Sequence, residues 1–332
     1  YRIIERTHMV ILTLGGGLGN QMFQYAFARK LQLTSKDTEI RLTGYHLKNT
    51  DNRADALFHL NVADCCKPCD EAQSQMAEAF QEPLLHRISL TKKLARKCVL
   101  FHKLPGRYIQ SLAARGFFTT EETYLPQAYT GINAQADGSW QIDPGICARD
   151  IKYVEGNFQT CRYWTDMESL LREELRVKTQ PSQENRKWIE QMQAAESVCV
   201  HIRRGDYLAP EYAHLNVCDR TYYERAMDRI RKQRADAVFY IFSNNHAELD
   251  WIRENYDFSG YQVEYVDLDN PDYEELRLMY SCKHFIISNS TFSWWGQFLC
   301  ENPDKIVIAP DKWNRECDAK GIYMPGWQLI EV

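Results

Sequence analysis

Short apolar runs alternate with longer segments of helical periodicity through the second half of the chain. Strands are predicted at Val198–Ile202, Val238–Phe242, Gln262–Val266, His284–Ile287 and Lys305–Ile308. The first four strands are each followed by a predicted helix, at residues 222–231, 247–255, 273–281 and from residue 293. This alternation predicts a parallel, doubly wound sheet.

The chain begins with the same alternation. A strand is predicted at residues 10–14, a helix at 21–33 and a second strand at 39–43. The loop after the first strand is rich in glycine, which indicates that its backbone approaches something closely. It is a poor dinucleotide fingerprint, because Asn20 stands where the third glycine is needed and no acidic residue closes the second strand. A dehydrogenase is therefore disfavoured.

The middle of the chain carries weaker signals. Residues 61–150 contain helical patches near 71–79 and 90–101 and are assigned to the first domain. An aromatic segment that includes Phe158, Tyr163 and Trp164 precedes helices predicted at 165–177 and 181–195. Aromatic side chains with a polar tip can stack on sugar rings, but they more often pack at domain seams. The segment alone leaves both roles open.

Polar and charged side chains gather at the carboxyl end of the first predicted strand of the second half. His201, Arg203, Arg204 and Asp206 lie within six positions. Side chains alternate along an extended chain, so Arg203 shares a face with His201, whereas Arg204 faces the other way and is expected to form a structural ion pair. A guanidinium at the carboxyl end of a strand can grip a diphosphate with two hydrogen bonds. On this stretch alone, an Arg–Asp pair that only holds a loop is an equally good interpretation.

Polar residues also follow other predicted strands, at 243–245, at Asp267 and at 288–291. Open parallel sheets bind ligands at the carboxyl ends of their strands. Ser290 and Thr291, with the backbone N–H groups that open the next helix, therefore predict a phosphate cradle. Alternatively, the two hydroxyls only cap the helix, which is the usual role of such residues. Three separate polar strand ends favour the ligand site.

The length and the net charge of the chain limit the classes of function that it can have. A chain of 332 residues is long for one core, so two domains are expected. The formal charge of −5 provides no basic footprint for nucleic acid, and no apolar run is long enough to predict a membrane span. Residues 1–8 are interpreted as a tail ahead of a start at Met9, without a secretory signal. We expect a cytoplasmic protein, for which peripheral contact with the inner face of a membrane is allowed.

The eleven cysteines are odd in number and lie in apolar segments, which favours buried free thiols over disulfides. Cys65, Cys66 and Cys69 form a tight group of the kind that can bind zinc. No second cysteine pair follows at ligand spacing and only His59 is near, so a structural zinc site is disfavoured.

Three motifs are specific when they are taken together. They are Gly-Gly-Leu-Gly-Asn-Gln-Met-Phe-Gln-Tyr-Ala at 16–26, His-Ile-Arg-Arg-Gly-Asp-Tyr at 201–207 and Asn-Ser-Thr-Phe-Ser-Trp-Trp-Gly at 289–296. They closely resemble the motifs of the bacterial α-1,2-fucosyltransferases of glycosyltransferase family 11. Residues 156–159 with Tyr163 are similar to a mid-chain motif of that family. The resemblance runs from Met9 to about Trp313, which is nearly the whole chain.

The resemblance implies an α/β fold of the GT-B kind, with two facing Rossmann-like domains and the active site in the cleft between them. Residues 9–165 would form the acceptor-side domain and residues 166–332 the GDP-fucose-binding domain. Such enzymes transfer L-fucose from GDP-β-L-fucose to the 2-hydroxyl of a terminal galactoside and invert the anomeric centre. The acceptor would be a galactose-terminated glycan, such as a surface polysaccharide or oligosaccharide. No cofactor is expected, and the oligomeric state is not predicted.

The resemblance also assigns residues that bind the donor. They are Gly17, Gly19, Asn20, His201, Arg203, Glu275, Asn289, Ser290, Thr291 and Phe292. Arg203 matches an arginine that grips the β-phosphate, and His201 would lie near the guanine. Ser290 and Thr291 match a pair that contacts phosphate. Asn20 matches an asparagine that faces the departing diphosphate from the other domain. Glu275 stands where the family commonly has an aspartate that meets the guanine edge.

Arg203, Asp206 and Asn20 are predicted to be catalytic. Arg203 would stabilise the charge that develops on the departing GDP. Asp206 is the first candidate for the base that the acceptor hydroxyl needs, although a turn-capping role is an equal alternative. The predicted acceptor-binding residues are Phe158, Gln159, Tyr163 and Trp164.

Two other functions compete with this interpretation. A fucosyltransferase of another linkage, α-1,6 or protein O-fucosylation, shares the arginine motif, but the motif at 289–296 argues against it. A non-catalytic carbohydrate-binding protein would need no phosphate cradle.

Asp267 and Asp269 form the sequence Asp-x-Asp, which binds a divalent ion in another transferase fold. Because arginine can replace the metal as counter-charge, no metal is expected here.

Overall fold

The computed structural model describes residues 8–43, 56–75, 117–119, 132–134, 140–142, 144–316 and 319–332. The chain forms two compact units, of which the first comprises residues 1–55 and 62–171 and the second residues 56–61 and 172–332. The sequence places the boundary at 165/166, whereas this division falls at 171/172. Apart from His8, the predicted tail lies outside the described residues, as does the helical patch predicted at 90–101.

The first unit is built on a parallel sheet. Its described helices and strands are β1 (Met9–Thr13), α1 (Leu18–Ser35), β2 (Glu39–Thr43), β3 (Cys66–Pro68), β4 (Phe117–Thr119), β5 (Ile132–Ala134), β6 (Trp140–Ile142), α2 (Pro144–Cys147) and β7 (Ile151–Glu155). The sheet has the order β3-β2-β1-β7-β4, and its strand pairs are parallel. Strands β5 and β6 form a separate antiparallel pair.

Strand β1 lies at the centre of this sheet. All five of its residues are buried, as a strand with parallel neighbours on both sides requires. The strand order reverses beside it, because β2 pairs with one edge of β1 and the late strand β7 with the other. In doubly wound sheets such a switch point opens a crevice at the carboxyl ends of the strands. The glycine loop and the segment after β7 both begin there.

Helix α3 (Glu168–Glu174) crosses the division, and the second unit then alternates regularly. Its remaining described helices and strands are α4 (Gln183–Ala194), β8 (Glu196–His201), α5 (Arg220–Gln233), β9 (Ala237–Phe242), α6 (His246–Asn255), β10 (Gln262–Tyr265), α7 (Asp272–Tyr280), β11 (His284–Ile286), α8 (Thr291–Leu299), β12 (Val307–Pro310) and β13 (Gln328–Ile330). The sheet order is β10-β9-β8-β11-β12-β13, and its pairings are parallel. The predicted doubly wound sheet is confirmed.

The strand order of the second unit reverses between β8 and β11. Strands β9 and β10 extend the sheet on one side of β8, whereas β11, β12 and β13 extend it on the other. The carboxyl ends of β8 and β11 therefore flank the switch point of this sheet. Both strand ends carry motifs that the sequence analysis singled out, His201 to Tyr207 and Asn289 to Gly296.

The differences from the predicted elements have local causes. Strand β13 was not predicted, and the segment that forms β7 was assigned only as an aromatic stretch. The helix predicted at 165–177 is shorter, because a 3-10 turn at Thr165–Met167 precedes α3. Trp294 and Trp295 of the third motif are fully buried and pack on Phe298, so they belong to the core of the unit.

The cysteines within the described residues are free thiols, as the composition predicts. Cys66, Cys161, Cys199, Cys282 and Cys300 are buried, whereas Cys65, Cys69, Cys147 and Cys218 are only half-buried. Burial raises the pKa of the Cys161 thiol to about 11, which keeps it protonated and unreactive. As for membranes, the described helices include none with the length and apolar character needed to cross a bilayer.

Candidate active site

The switch point of the second unit brings the two polar strand ends together. His201 is the last residue of β8, and Ser288 follows two positions after β11. The Ser288 hydroxyl lies 3.1 Å from Nδ1 of His201. The register pairs Ile286 with Val200, so the residues beyond each strand emerge side by side. The geometry thus unites the 201–206 segment with the 288–292 segment, as the sequence predicts.

Arg203 and Asp206 are held together at this edge of the sheet. Nη2 of Arg203 lies 2.7 Å from Oδ1 of Asp206, and the two side chains are 26% and 48% exposed. Asp206 lies on a 3-10 turn, Gly205–Leu208. Gly205 has φ +48°, and a Cβ there would meet the Asn244 amide nitrogen at 2.8 Å. Glycine therefore permits the close turn that brings Asp206 back to Arg203.

Arg204 points to a different environment, as the alternation along the strand predicts. Its Nε lies 2.8 Å from Glu248 Oε2, and its guanidinium lies 3.2 Å from the centroid of the Trp251 ring. Its backbone N–H donates to the Asn244 side chain at 3.1 Å. Arg204 is therefore anchored by an ion pair and a cation–π contact, which confirms the predicted structural ion pair.

His201 is a neutral residue inside the sheet edge. Its side chain is buried, and its carbonyl accepts a hydrogen bond from the Tyr223 hydroxyl at 3.2 Å. Burial, with a smaller contribution from the Arg203 charge, lowers the pKa of His201 to about 3. The imidazole therefore stays uncharged at any working pH, and it can donate or accept a hydrogen bond without titrating.

Ser290 and Thr291 open helix α8, as both interpretations of the sequence require. Ser290 is the N-cap residue, and its hydroxyl accepts a hydrogen bond from the Phe292 N–H at 3.3 Å. Thr291 is the first residue of the helix, and Phe292 lies 6.1 Å from the His201 ring. Capping is thus one role of Ser290. The helix N-terminus nonetheless presents backbone N–H groups at the switch point, where an anion would be stabilised.

Asn289 has a different task from the one predicted. Its amide nitrogen donates to the carbonyls of Leu215 and Trp313 at 2.7 Å and 2.9 Å, and the residue is 2% exposed. Both amide hydrogens are therefore used within the protein. The side chain ties loops together and does not present its donors to a ligand. The loop partners lie far away in sequence, so the motif alone could not reveal this.

Glu275 is a half-buried carboxyl on α7. Burial raises its pKa to about 8, and the nearby charge of Asp272 adds to this effect. It is therefore largely protonated at neutral pH. The contacts described above for Arg203, His201 and Asn289 do not involve it. When it is ionised, this carboxylate can accept hydrogen bonds from N–H donors, such as those of the guanine edge that the resemblance implies.

The glycine loop of the first unit is braced by helix α1. The Gly15 N–H donates to Gln24 Oε1 at 3.1 Å, and Nε2 of Gln24 donates back to the Gly15 carbonyl at 3.3 Å. Nε2 of Gln21 donates to the Gly16 carbonyl at 3.1 Å. Gly16 has φ +72°, and a Cβ there would collide with the Asn20 amide. Gly17 is the open position, because a Cβ there would meet nothing within 4 Å.

Asn20 and Gln159 meet at the switch point of the first unit. Nε2 of Gln159 donates to Oδ1 of Asn20 at 2.8 Å. The neighbouring Phe158 has φ +50° and stacks on Phe27, with ring centroids 4.0 Å apart. This unusual backbone, which costs on the order of 1–3 kcal/mol, holds Gln159 in place. Two residues predicted for different ligands, donor and acceptor, thus form one pair.

The predicted aromatic acceptor residues belong to the core of the first unit. Phe158 and Trp164 are fully buried, and Tyr163 is 5% exposed. Tyr163 packs edge-on against Phe27, and Trp164 packs near Phe23. Their rings therefore cannot stack on a sugar, and this part of the prediction is corrected. Packing, the more common role of aromatic residues, prevails because the whole segment folds over α1.

The Asp-x-Asp sequence lies beyond β10. Burial pulls the Asp267 pKa upward, but hydrogen bonds from His246 and Arg253 outweigh it, so the pKa is lowered. Nδ1 of His246 contacts one carboxylate oxygen, and Nη1 of Arg253 lies 2.9 Å from the other. Asp267 thus already has a cationic partner in Arg253 and a hydrogen-bond partner in His246. Within the described ranges, no cluster of three or more His, Cys, Asp or Glu is arranged to hold a metal ion.

Sequence reasoning missed two residues that shape the site. Gln24 braces the glycine loop, and Tyr207 contacts both Arg203 and the Asn289 carbonyl. Both stand inside the motifs at 16–26 and 201–207. Membership in a motif was therefore the available signal, but their roles depend on contacts that spacing does not encode.

Comparison with known proteins gives the class to which this architecture belongs. The family described as Glycosyl transferase family 11 matches residues 143–331, more than half of the chain. The chain therefore belongs to this family of glycosyltransferases. Its two Rossmann-like units are the domain content of the GT-B fold.

Curated relatives extend the match over nearly the whole chain. The chain is similar to the O-antigen biosynthesis glycosyltransferase WbnK of Escherichia coli, at 28% identity over 95% of this chain and 98% of the relative. An α-1,2-colitosyltransferase of Escherichia coli is 28% identical over 92% of each chain. The galactoside α-(1,2)-fucosyltransferase 2 of Oryctolagus cuniculus is 36% identical, over 39% of this chain and 38% of the relative.

Solved structures support the fold. A variant of Arabidopsis thaliana FUT1 in complex with GDP matches with a TM-score of 0.52 at 10% identity, over 92% of this chain and 71% of that one. POFUT1 in complex with GDP matches with a TM-score of 0.50 at 12% identity, over 92% and 98% of the two chains. Both are GT-B fucosyltransferases, so the likeness confirms an α/β fold of the GT-B kind.

Proposed function

We propose that this glycosyltransferase moves L-fucose from GDP-β-L-fucose to the 2-hydroxyl of a terminal galactoside, with inversion of the anomeric centre. The observation that carries the proposal is the switch point of the second unit. There Arg203 and the N-terminus of α8 follow the neighbouring strands β8 and β11, and the half-buried Glu275 carboxyl lies on α7 of the same unit. These groups match the two ends of GDP, the diphosphate and the guanine.

The diphosphate is the part of the donor that needs positive counter-charge. Arg203 can offer two parallel N–H donors to phosphate oxygens, whereas its neighbour Arg204 is committed to Glu248 and Trp251. The backbone N–H groups at the start of α8 add partial positive charge, as helix N-termini do. Breaking the bond between fucose and phosphate adds negative charge to GDP, and these preorganised donors stabilise it as it develops.

The guanine end is assigned to the region of Glu275 and His201. The N–H edge of guanine offers donors, and an ionised Glu275 can accept them. His201 remains neutral, with a pKa of about 3, so it adds hydrogen-bonding capacity without repelling or attracting the phosphates. Asn289 drops out of direct donor binding under this proposal and serves to hold the surrounding loops.

The acceptor hydroxyl needs a group that takes its proton on the face opposite the departing GDP. Asp206 remains the candidate, because it is the exposed carboxylate of the turn that follows β8. Positive charge builds on the sugar ring in such transfers, and a nearby carboxylate would stabilise it. When Arg203 turns to the diphosphate, the Asp206 oxygen that it now holds becomes available.

The residues of the first unit enter the proposal through the resemblance to the family. The open backbone at Gly17 and the hydrogen-bonded Asn20–Gln159 pair lie at the switch point of that unit. Asn20 is kept as a donor contact and Gln159 as an acceptor contact on the strength of the resemblance. The glycan acceptor is a terminal β-galactoside, and the chain itself supplies the counter-charge without a metal.

A second donor is favoured by one comparison. The α-1,2-colitosyltransferase of Escherichia coli is as similar to this chain, at 28% identity, as the O-antigen glycosyltransferase. Colitose differs from fucose by the absence of the 3-hydroxyl. The groups proposed for GDP would serve either donor, so discrimination depends on contacts to the sugar alone.

Product analysis tests the proposal. The protein is incubated with GDP-fucose or GDP-colitose and a panel of galactosides, and the linkage of each product is determined by nuclear magnetic resonance. We expect an α-1,2-linked fucosyl galactoside. An α-1,6-linked or peptide-linked product would replace the proposed linkage, and a product with colitose alone would replace the donor. If the protein binds galactosides but neither transfers a sugar nor binds GDP, it is a carbohydrate-binding protein.

A further inference from the structure

Tyr207 stands between the two polar segments of the second unit without an assigned role. It lies on the 3-10 turn Gly205–Leu208, directly after Asp206, and is half-buried. Its side chain reaches back toward the 288–292 segment. It therefore joins an arginine that is proposed to grip the diphosphate with the loop that opens the phosphate-binding helix.

The Tyr207 ring supports the arginine. The guanidinium carbon of Arg203 lies 5.5 Å from the centroid of this ring, within the range of a cation–π contact. Asp206 holds the same guanidinium by an ion pair. The ring is the partner that can stay in place when the ion pair is exchanged for phosphate, since a ring face does not compete with phosphate oxygens for N–H donors.

The Tyr207 hydroxyl fixes a peptide group at the phosphate-binding helix. It donates to the Asn289 carbonyl at 3.1 Å. Burial raises the pKa of Tyr207 to about 12, so the phenol keeps its proton and remains a donor. No described peptide bond is cis, and in a trans peptide the C=O and the following N–H point in opposite directions. By holding the Asn289 carbonyl, Tyr207 therefore aims the Ser290 N–H away from itself.

Asn289 is also anchored through its side chain. The Asn289 side chain bonds the carbonyls of Leu215 and Trp313. The Asn289–Ser290 peptide is thus fixed by the hydrogen bonds of the Asn289 side chain and by the hydrogen bond to the Asn289 carbonyl. This peptide leads directly into Ser290, the N-cap of α8. The hydroxyl of Tyr207 is the contact that links this held peptide to the arginine segment.

We propose that Tyr207 is a positioning residue that couples the Arg203 guanidinium to the N-terminus of α8, so that both meet the diphosphate in one arrangement. The inference rests on the proposed function, because it presumes a nucleoside diphosphate donor. Under this proposal the ring and the hydroxyl of Tyr207 have separate roles: the ring acts on Arg203, and the hydroxyl acts on the Asn289–Ser290 peptide.

The test compares Tyr207→Phe, which removes only the hydroxyl, with Tyr207→Leu, which removes the ring as well. We expect Tyr207→Phe to weaken GDP binding and raise the KM for GDP-fucose about threefold to tenfold, the loss of one hydrogen bond. Tyr207→Leu should add a further factor of about two to five, the loss of a cation–π contact. The KM for the acceptor should not change. Tyr212→Phe is the matched control, because Tyr212 is 43% exposed on the next 3-10 turn.

Both substitutions are then repeated in an Arg203→Lys background. The additional effect of removing the ring should shrink there, because the planar guanidinium is gone. The effect of removing the hydroxyl should persist, because its partner is the Asn289 carbonyl. A merely structural role would instead lower the melting temperature while leaving the dissociation constant for GDP of the folded protein unchanged.

The outcomes separate the inference from the proposed function. If the parent protein binds GDP and transfers fucose, and Tyr207→Phe does so equally well, the inference is overturned and the function stands. If the ring effect is unchanged by Arg203→Lys, the coupling through Arg203 is overturned. If the parent protein binds no GDP, the proposed function fails and the inference fails with it. If Tyr207→Leu does not fold, Tyr207→Phe still decides the role of the hydroxyl.

Discussion

Arg203 and Asp206, the residues proposed to act on the donor and on the acceptor, are bound to each other. Their Nη2–Oδ1 distance is 2.7 Å, and both side chains are partly exposed. An exposed ion pair contributes only about 0–1 kcal/mol. Replacement of Asp206 by a diphosphate as the partner of Arg203 therefore costs little free energy. Donor binding would then free the Asp206 carboxylate for the acceptor. Under the proposed function we therefore expect GDP-fucose to bind before the acceptor.

The first prediction separates the two adjacent arginines. Arg203→Lys keeps the charge but loses the planar two-pronged grip, so turnover should fall by about a hundredfold to a thousandfold. Its melting temperature should change little, because its ion pair is exposed. Arg204→Lys should lose about 1–2 kcal/mol of stability, because Arg204 has a half-buried ion pair with Glu248 and a cation–π contact with Trp251, and it should retain more activity.

Steady-state kinetics and thermal melts with and without GDP, measured side by side, check this prediction. The two variants serve as controls for each other, because they make the same substitution one position apart. Near-normal turnover in Arg203→Lys, or an exchange of the two phenotypes, would show that the wrong arginine has been assigned to the ligand.

The second prediction concerns Asp206. Asp206→Asn preserves the size of the side chain but cannot accept a proton, so turnover should fall strongly while GDP affinity stays close to normal. Calorimetry with GDP and single-turnover kinetics provide the two measurements. A variant that binds GDP poorly or does not fold would assign Asp206 to the architecture of the turn.

Some parts of this site follow from local rules and others do not. Arg203 and Arg204 lie just beyond the end of β8, and their different partners agree with the alternation predicted for an extended chain. The convergence of the polar strand ends follows from the predicted parallel sheet, because the carboxyl ends of parallel strands lie at one edge. These predictions needed no knowledge of distant contacts.

The failures share one cause, which is that burial depends on residues far away in sequence. Phe158 and Trp164 have aromatic rings suited to sugars, but packing on α1 covers them. Asn289 has the polarity of a ligand-binding residue, but Leu215 and Trp313 use its donors. A motif shows which residue types occur together, but it cannot show which side chains already have partners.

The third prediction is turnover without a metal. Asp267 of the Asp-x-Asp sequence is already paired with His246 and Arg253. We therefore expect full activity in the presence of a strong chelator, and Asp267→Asn should change the donor KM by no more than a few fold. Activity is measured with chelator-treated protein and buffers. Complete loss of activity that manganese restores would show that a divalent ion takes part.

The fourth prediction concerns the fold of the first unit. Lys152 on β7 and Asp37 after α1 form an ion pair 2.7 Å long, and both side chains are fully buried. Asp37→Asn leaves a buried ammonium without its counter-charge, which should cost about 3–5 kcal/mol. The control is Asp166→Asn, which breaks the exposed Lys30–Asp166 pair and should cost no more than about 1 kcal/mol.

Denaturant unfolding of both variants measures the difference. Replacement of both members of the buried pair, as Lys152→Met with Asp37→Leu, should recover much of the loss, because two apolar residues leave no uncompensated charge. Equal stability of Asp37→Asn and Asp166→Asn would contradict the buried pair.

The last prediction is a pH dependence of donor binding. In the free protein Glu275 has a pKa of about 8, so below that pH its carboxyl is mostly protonated. Guanine N–H donors require the ionised carboxylate as their acceptor. GDP binding should therefore release a proton, and affinity should increase as the pH rises from 6 to 8, by at most about tenfold per unit, and then level off.

The stability of the free protein should move in the opposite direction. An unfolded glutamate titrates near its ordinary pKa of 4.5, whereas the folded one titrates near 8, so between these values the folded state holds the extra proton. Stability from this group is complete below about 4.5 and is lost as the pH rises toward 8. GDP, which favours the ionised form, should stabilise the protein more at pH 8 than at pH 6.

Glu275→Gln provides the matched control, because it keeps the shape of the side chain and removes its titration. The phosphate groups of GDP titrate in the same range, but they do so equally with both proteins, so the difference between the two curves isolates Glu275. His201 does not contribute, since its pKa of about 3 lies outside the window. Calorimetry in two buffers of different ionisation enthalpy counts the released protons. If the parent protein and Glu275→Gln release the same number of protons on binding GDP, then Glu275 does not meet the guanine, and the base-recognition role must be assigned elsewhere in the second unit.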